Sequence, residues 1–126
     1  MNPLQQLHTI KQSFWLDYIS RSLIESGELK RLIHEAGLRG MTSNPTIFEK
    51  AISMGKDYDA DLKKAALKGK SAYEIFEDLA VKDIQAAADA FKKVYLSSER
   101  RDGFVSLEVS PTLANDTQST LSEAIR

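Results

Sequence analysis

Three short apolar runs, separated by segments of helical periodicity, constrain this chain more than any other feature. They are Ser13-Phe14-Trp15-Leu16-Asp17, Leu38-Arg39-Gly40-Met41-Thr42 and Phe104-Val105-Ser106-Leu107-Glu108-Val109. Each reads as a strand. Strands that alternate with helices pair in parallel through right-handed crossovers, with helices covering the sheet. The expected class is therefore α/β. The first run also fits the interior of a helix continuing from Leu4, and the run alone leaves that open. In the third run the side chains alternate faces. Val105, Leu107 and Val109 form one apolar face, and Ser106 and Glu108 fall on the other beside Phe104. Pro111 ends the strand.

The segments between the runs carry helix punctuation. Residues 3–12 read as a short helix. Residues 28–36 place Leu29, Leu32 and Ile33 on one face, and Gly37 sits where a C′ glycine is expected. Asn44 and Pro45 suit the N-cap and N1 positions of a helix running to Gly55. Asp57 is expected to cap a helix over residues 58–67. Ser71 and Glu74 form a capping box. Beyond it, Tyr73, Phe76, Ala80, Ile84, Ala87, Phe91 and Val94 recur at steps of three and four to near Ser97. Residues 99–103 form a charged turn. Asn115 or Asp116 can cap a last helix ending at Ile125.

A length of 126 residues suits one domain. Hydrophobic residues make up 42% and charged residues 28%, a globular composition. The formal net charge of -1 argues against a nucleic-acid or membrane-surface protein, which would carry a basic excess. No apolar run approaches the ~18 residues that span a bilayer. The opening residues hold no signal-peptide core, so the expected location is cytoplasmic. The chain has no cysteine, which excludes disulfides, thiolate metal sites and Cys nucleophiles. His8 and His34 are the only histidines, and no metal or nucleotide motif occurs. No metal site is expected. Chemistry on this chain would use carboxylates, amides, hydroxyls and lysine.

Asp17, Asn44 and Glu108 each fall at or just past the C-terminal end of an expected parallel strand. Sites gather at that end in α/β barrels and open α/β sheets. Each residue also has a structural alternative. Asp17 could cap a helix over residues 20–26 or pair with Arg21 at i+4. Asn44 is a good N-cap. Glu108 lies inside an apolar strand, and a buried carboxylate must be paired, protonated or functional. Thr42 and Ser106 would otherwise be ordinary strand residues.

Trp15-Leu16-Asp17-Tyr18-Ile19-Ser20-Arg21, Gly40-Met41-Thr42-Ser43-Asn44-Pro45-Thr46-Ile47-Phe48 and Asp102-Gly103-Phe104-Val105-Ser106-Leu107-Glu108-Val109-Ser110-Pro111 resemble the transaldolases. The likeness is to the bacterial group that carries the segment from Thr42 to Phe48. It covers essentially the whole chain. The resemblance implies a (β/α)8 barrel of cytoplasmic pentose-phosphate enzymes. These move a dihydroxyacetone unit from sedoheptulose 7-phosphate to glyceraldehyde 3-phosphate, giving erythrose 4-phosphate and fructose 6-phosphate. They use a lysine Schiff base and no cofactor. Asp17 matches the acid that exchanges a proton with the sugar hydroxyl. Glu108 matches the acid that assists imine formation and hydrolysis through a water. Asn44 matches the amide that holds the dihydroxyacetone moiety. Thr42 and Ser106 match hydroxyls that line the pocket and order that water.

The family's lysine sits on the strand after the one holding Glu108. None of the eleven lysines of this chain occupies the matching place. A barrel closes with eight strands and a typical ~250 residues. Residues 1–126 are therefore expected to be the N-terminal part of a single (β/α)8-barrel domain, roughly its first three βα units and not closed. Such a chain is expected to be inactive alone and to self-associate through open sheet edges. The competing expectation is a non-enzymatic α/β interaction module built on the same fold segment.

Overall fold

The computed structural model describes residues 2–126. Asn2 caps helix α1 (Pro3–Gln6), accepting from Gln5 N at 2.8 Å, and a 3₁₀ turn (Leu7–Ile10) follows. The first apolar run is a strand, β1 (Trp15–Asp17), and not the interior of a helix. Ser20 caps α2 (Arg21–Glu25). Helix α3 (Glu28–Arg31) runs into a wider π turn (Leu32–Ala36) that ends at Gly37 in the left-handed conformation. Then come β2 (Gly40–Thr42) and α4 (Pro45–Met54), which starts at the expected Asn44 cap. Helices α5 (Asp59–Leu67) and α6 (Ala72–Ser97) lead to β3 (Phe104–Val105), a 3₁₀ turn (Pro111–Leu113) and α7 (Thr117–Ile125).

The strands form one parallel sheet in the order β1-β2-β3. Trp15, Leu16 and Asp17 lie opposite Gly40, Met41 and Thr42, and Gly40 and Met41 lie opposite Phe104 and Val105. The sheet is mixed with helices and does not close, with a free edge on both β1 and β3 among the described residues. Alternation splits each strand between two faces. Leu16, Met41 and Val105 pack with Ile19, Leu29, Ile33, Phe48, Ala87 and Phe91 in the core beneath the helices. Trp15, Gly40 and Phe104 are on the opposite face. Trp15 and Phe104 are 40% and 45% exposed, so that face is uncovered.

Two glycines permit this packing. The Trp15 ring lies so close to Gly40 that a Cβ there would overlap it. Gly103 has φ 84°, and a Cβ there would come within 2.5 Å of Tyr95 N on α6. Its own N–H donates to the Arg39 carbonyl at 2.7 Å, which feeds the chain into the sheet beside β2.

Two expectations need correction. The third strand ends at Val105, not Val109. Ser106 N still donates to the Met41 carbonyl at 3.0 Å, but β2 ends at Thr42 and β3 has no strand on its other side. Residues 107–109 therefore have no ladder to join. Asp57 caps nothing: α5 begins at Asp59 after Tyr58, and the Asp57 carbonyl accepts from Arg21 Nη1 at 3.2 Å. The segment is placed by burial of Tyr58 instead. Of the two caps expected for α7, Asp116 is the one used, accepting from Ser119 N at 3.0 Å. Among the described residues, no helix is long and apolar enough to cross a membrane.

Candidate active site

The uncovered face collects polar groups at the C-terminal ends of its strands. Asp17 and Thr42 end β1 and β2 at the same register. Thr42 Oγ1 donates to Asp17 Oδ1 at 2.8 Å. Neither structural alternative for Asp17 is realised. Ser20 caps α2 by accepting from Leu23 N, and Arg21 turns away to other carboxylates. The exposed Asp17 carboxylate is left with Thr42 as its hydrogen-bond partner among the described residues.

Asn44 does both things the residues suggested. It caps α4, its Oδ1 accepting from Ile47 N at 2.9 Å, and it sits just past β2. With the oxygen committed, its Nδ2 hydrogens are the part of the amide left to donate. Ser106 follows β3 and is stitched to the buried Ser43. Ser43 Oγ donates to the Ser106 carbonyl at 2.7 Å, and Ser43 N donates to Ser106 Oγ at 3.4 Å. Asp17, Thr42 and Ser106 thus stand across the ends of the three strands, with Asn44 beside them.

Glu108 is placed differently from expectation. It is exposed rather than buried within a strand. It lines a cavity of about 630 Å³ together with Pro45, Phe76, Ala80 and residues of α7. That wall is held by Glu123, whose Oε1 accepts from Ser110 N at 2.6 Å and from the Tyr73 hydroxyl at 3.1 Å. The burial argument for Glu108 therefore fails, because the ladder that would have buried it stops two residues earlier. The structure does not bring its carboxylate into hydrogen-bond contact with Asp17, Thr42 or Asn44.

A buried charged cluster lies behind the site. Arg21, Asp83 and Tyr58 are 6%, 3% and 0% exposed. Arg21 Nε and Nη2 both donate to Asp83 Oδ1 at 3.1 Å, and Nη1 donates to Asp61 Oδ2 at 2.9 Å. The Tyr58 hydroxyl donates to Asp83 Oδ2 at 2.7 Å and accepts from Arg21 N at 2.9 Å. The guanidinium also lies over the Tyr58 ring, 4.4 Å from its centroid. Burial and the neighbouring Asp83 carboxylate push the Tyr58 hydroxyl well above its ordinary range, so it stays a donor. Sequence reading missed this cluster. The available signal was Asp83 itself, an acid between Ala80 and Ala87 on the apolar stripe of α6.

Comparison with known proteins identifies the family of the chain. The family model described as transaldolase/fructose-6-phosphate aldolase matches residues 14–126. The chain is 51% identical over 125 residues to a protein named transaldolase from Trichodesmium erythraeum, covering 99% of this chain and 33% of that protein. It is 47% identical over 126 residues to transaldolase 2 of Nostoc sp. (strain PCC 7120), covering 100% of this chain and 33% of that protein. A transaldolase from Thermobifida fusca is 46% identical over 123 residues, again with 33% of that protein covered. The chain spans about a third of the length of these relatives. A match over residues 14–126, nearly every described residue, means that the chain belongs to the transaldolase/fructose-6-phosphate aldolase family.

Proposed function

We propose that residues 1–126 supply the first three βα units of a cytoplasmic (β/α)8 barrel that acts as a transaldolase. The observation that carries this reading is the Asp17–Thr42 pair at the C-terminal ends of β1 and β2, on the uncovered face of the sheet. In a closed barrel that face becomes the interior. Substrates at its C-terminal mouth would meet Asp17, Thr42, Asn44 and Ser106 together.

The chemistry assigns each group a task. A lysine amine adds to the carbonyl of sedoheptulose 7-phosphate and water leaves, giving a protonated imine. Asp17 takes the proton of the hydroxyl next to the breaking carbon–carbon bond. The bond electrons move into the imine, and erythrose 4-phosphate departs. The resulting enamine attacks glyceraldehyde 3-phosphate, and Asp17 returns the proton. Water then hydrolyses the imine with Glu108 relaying protons through a second water, releasing fructose 6-phosphate. Asn44 donates to the dihydroxyacetone oxygens, and Thr42 and Ser106 order the water. No cofactor takes part.

The nucleophile comes from outside these residues. The three strands, Trp15–Asp17, Gly40–Thr42 and Phe104–Val105, carry no lysine. The free edges of β1 and β3 are where further strands would pair, and self-association would use the same edges.

A chimera tests this reading. This chain would replace the matching third of the Trichodesmium erythraeum transaldolase. The chimera is expected to turn over sedoheptulose 7-phosphate with glyceraldehyde 3-phosphate. It should also gain the mass of a reduced adduct on borohydride treatment with fructose 6-phosphate. The 126-residue chain should show neither. A folded chimera without turnover would refute the transaldolase reading and favour a non-enzymatic module. An adduct on the 126-residue chain would overturn the missing nucleophile.

A further inference from the structure

Arg21, Tyr58 and Asp83 have no part in the steps above, yet they sit directly behind the acid that does. Only Tyr18, Ile19 and Ser20 separate Asp17 from Arg21, and Ile19 and Ser20 are buried. We propose that Arg21, Tyr58 and Asp83 form a positioning unit that fixes the β1–α2 connection, and through it the direction of the Asp17 carboxylate. The kinetic half of this inference rests on the transaldolase reading. The geometric half does not.

The connection is gripped twice at the same residue. The Arg21 N–H belongs to the first turn of α2, where backbone donors have no partner within the helix. It donates to the Tyr58 hydroxyl. The Arg21 side chain is held on α6 by Asp83 and near α5 by the Asp57 carbonyl and Asp61. Tyr58 closes the ring by donating to the second Asp83 oxygen. Upstream, Asp17 is held by the β1–β2 pairing and by Thr42. The acid therefore stands between two fixed points, the sheet on one side and the anchored start of α2 on the other.

Charge pairing is a weak way to gain stability here, because desolvating two ions offsets most of their attraction. Apolar side chains of similar volume would fill the same space. What the ionic arrangement adds is direction: a planar guanidinium and a hydroxyl accept few orientations of the chain they hold. A plain structural brace would affect stability alone. A positioning unit would also change where Asp17 points.

Two variants separate these roles. Tyr58→Phe keeps the ring and removes the hydroxyl, and Asp83→Asn keeps the shape and removes the charge. Val94→Ala is the control, since it loosens the same core near Leu38, before β2, at the other end of the sheet. The first readout is the χ1 rotamer of Asp17 in the 126-residue chain, from three-bond NMR couplings. One rotamer is expected in the unsubstituted chain and in Val94→Ala, with averaging in both cluster variants. A single unchanged rotamer in the cluster variants, or averaging in the unsubstituted chain, overturns the inference.

The second readout is kinetic, in the chimera. A small misplacement of a reacting group can cost about 100-fold, so kcat should fall about 10- to 100-fold in Tyr58→Phe. KM and borohydride trapping of the imine should be kept, because Asp17 acts in cleavage. An unchanged kcat in a folded variant overturns the inference. If the unsubstituted chimera is inactive, the transaldolase reading fails and the rotamer measurement alone decides the positioning role.

Discussion

Asp83→Ala should cost the fold about 3 kcal/mol, the lower end of the ~3–5 kcal/mol typical of removing one partner from a buried ion pair. The side chains of Arg21 and Asp83 are 8% and 4% accessible, so neither charge has water to fall back on. Three hydrogen bonds end on Asp83, two from Arg21 and one from Tyr58. Their loss leaves a buried guanidinium and a buried hydroxyl without that acceptor. Arg21 cannot relieve its burial by losing its proton. Burial lowers its pKa, but Asp83 and Asp61 offset this and the net shift is upward. Asp61 remains 2.9 Å away and retains part of the pairing, although a third of its side chain is in water. That partial compensation is why the lower end is expected. Urea unfolding followed by circular dichroism measures the loss as a lower midpoint at unchanged slope. Arg21→Met combined with Asp83→Leu should cost less than Asp83→Ala alone, since no charge is left unpaired. A loss under about 1 kcal/mol for Asp83→Ala, or a double variant worse than the single one, would refute the reasoning.

Further outcomes follow from other contacts. Gly103→Ala should destabilise by more than about 1 kcal/mol, because φ is positive and the new methyl meets the Tyr95 backbone; denaturant midpoints will show it, and an unchanged midpoint contradicts the account. The Lys82 ammonium, and then Arg21, hold the Asp61 carboxyl below its ordinary value of 3.8. Its folded pKa is the lower one, so its contribution is complete above 3.8 and is lost as the pH falls through the folded value. Asp61→Asn should flatten the acid limb of a stability-versus-pH curve below about pH 4, and an unaltered limb would remove Asp61 from the explanation. In the active chimera, Glu108→Gln should slow imine formation and hydrolysis, and Asp17→Asn should slow cleavage, each within the ~10²–10⁴-fold typical of proton transfer. Trapping that collapses in Asp17→Asn while cleavage of preformed imine stays normal would reverse the two roles.

Much of the fold was legible because it is written in local chemistry. Ser71 and Glu74 cap α6 reciprocally, as a serine and a glutamate three positions apart should. Asn44 and Pro45 open α4, since an amide acceptor followed by a fixed φ starts a helix with no tertiary help. The two long helical intervals between the apolar runs required parallel pairing, and the sheet is parallel in chain order. Asp17 and Asn44 could be placed at strand ends for the same reason. Less could be read where two distant segments had to meet. Alternation over residues 104–109 promised a long strand, but a strand lasts only as long as its neighbour supplies carbonyls, and β2 stops at Thr42. The burial argument for Glu108 failed with it.

The local patterns of this chain were enough for its class and for most of its helix starts, because each depends on bonds made within a few residues. Partners chosen across space were not in those patterns. Arg21 had Asp17 four residues away and pairs instead with Asp83, 62 positions on, because α6 brings that carboxylate into the core behind α2. Asp17 was thereby freed for Thr42 and the open face of the sheet. A buried charge pairs with whichever opposite charge the packed helices leave beside it, since the cost of leaving it unpaired exceeds any preference set by spacing along the chain.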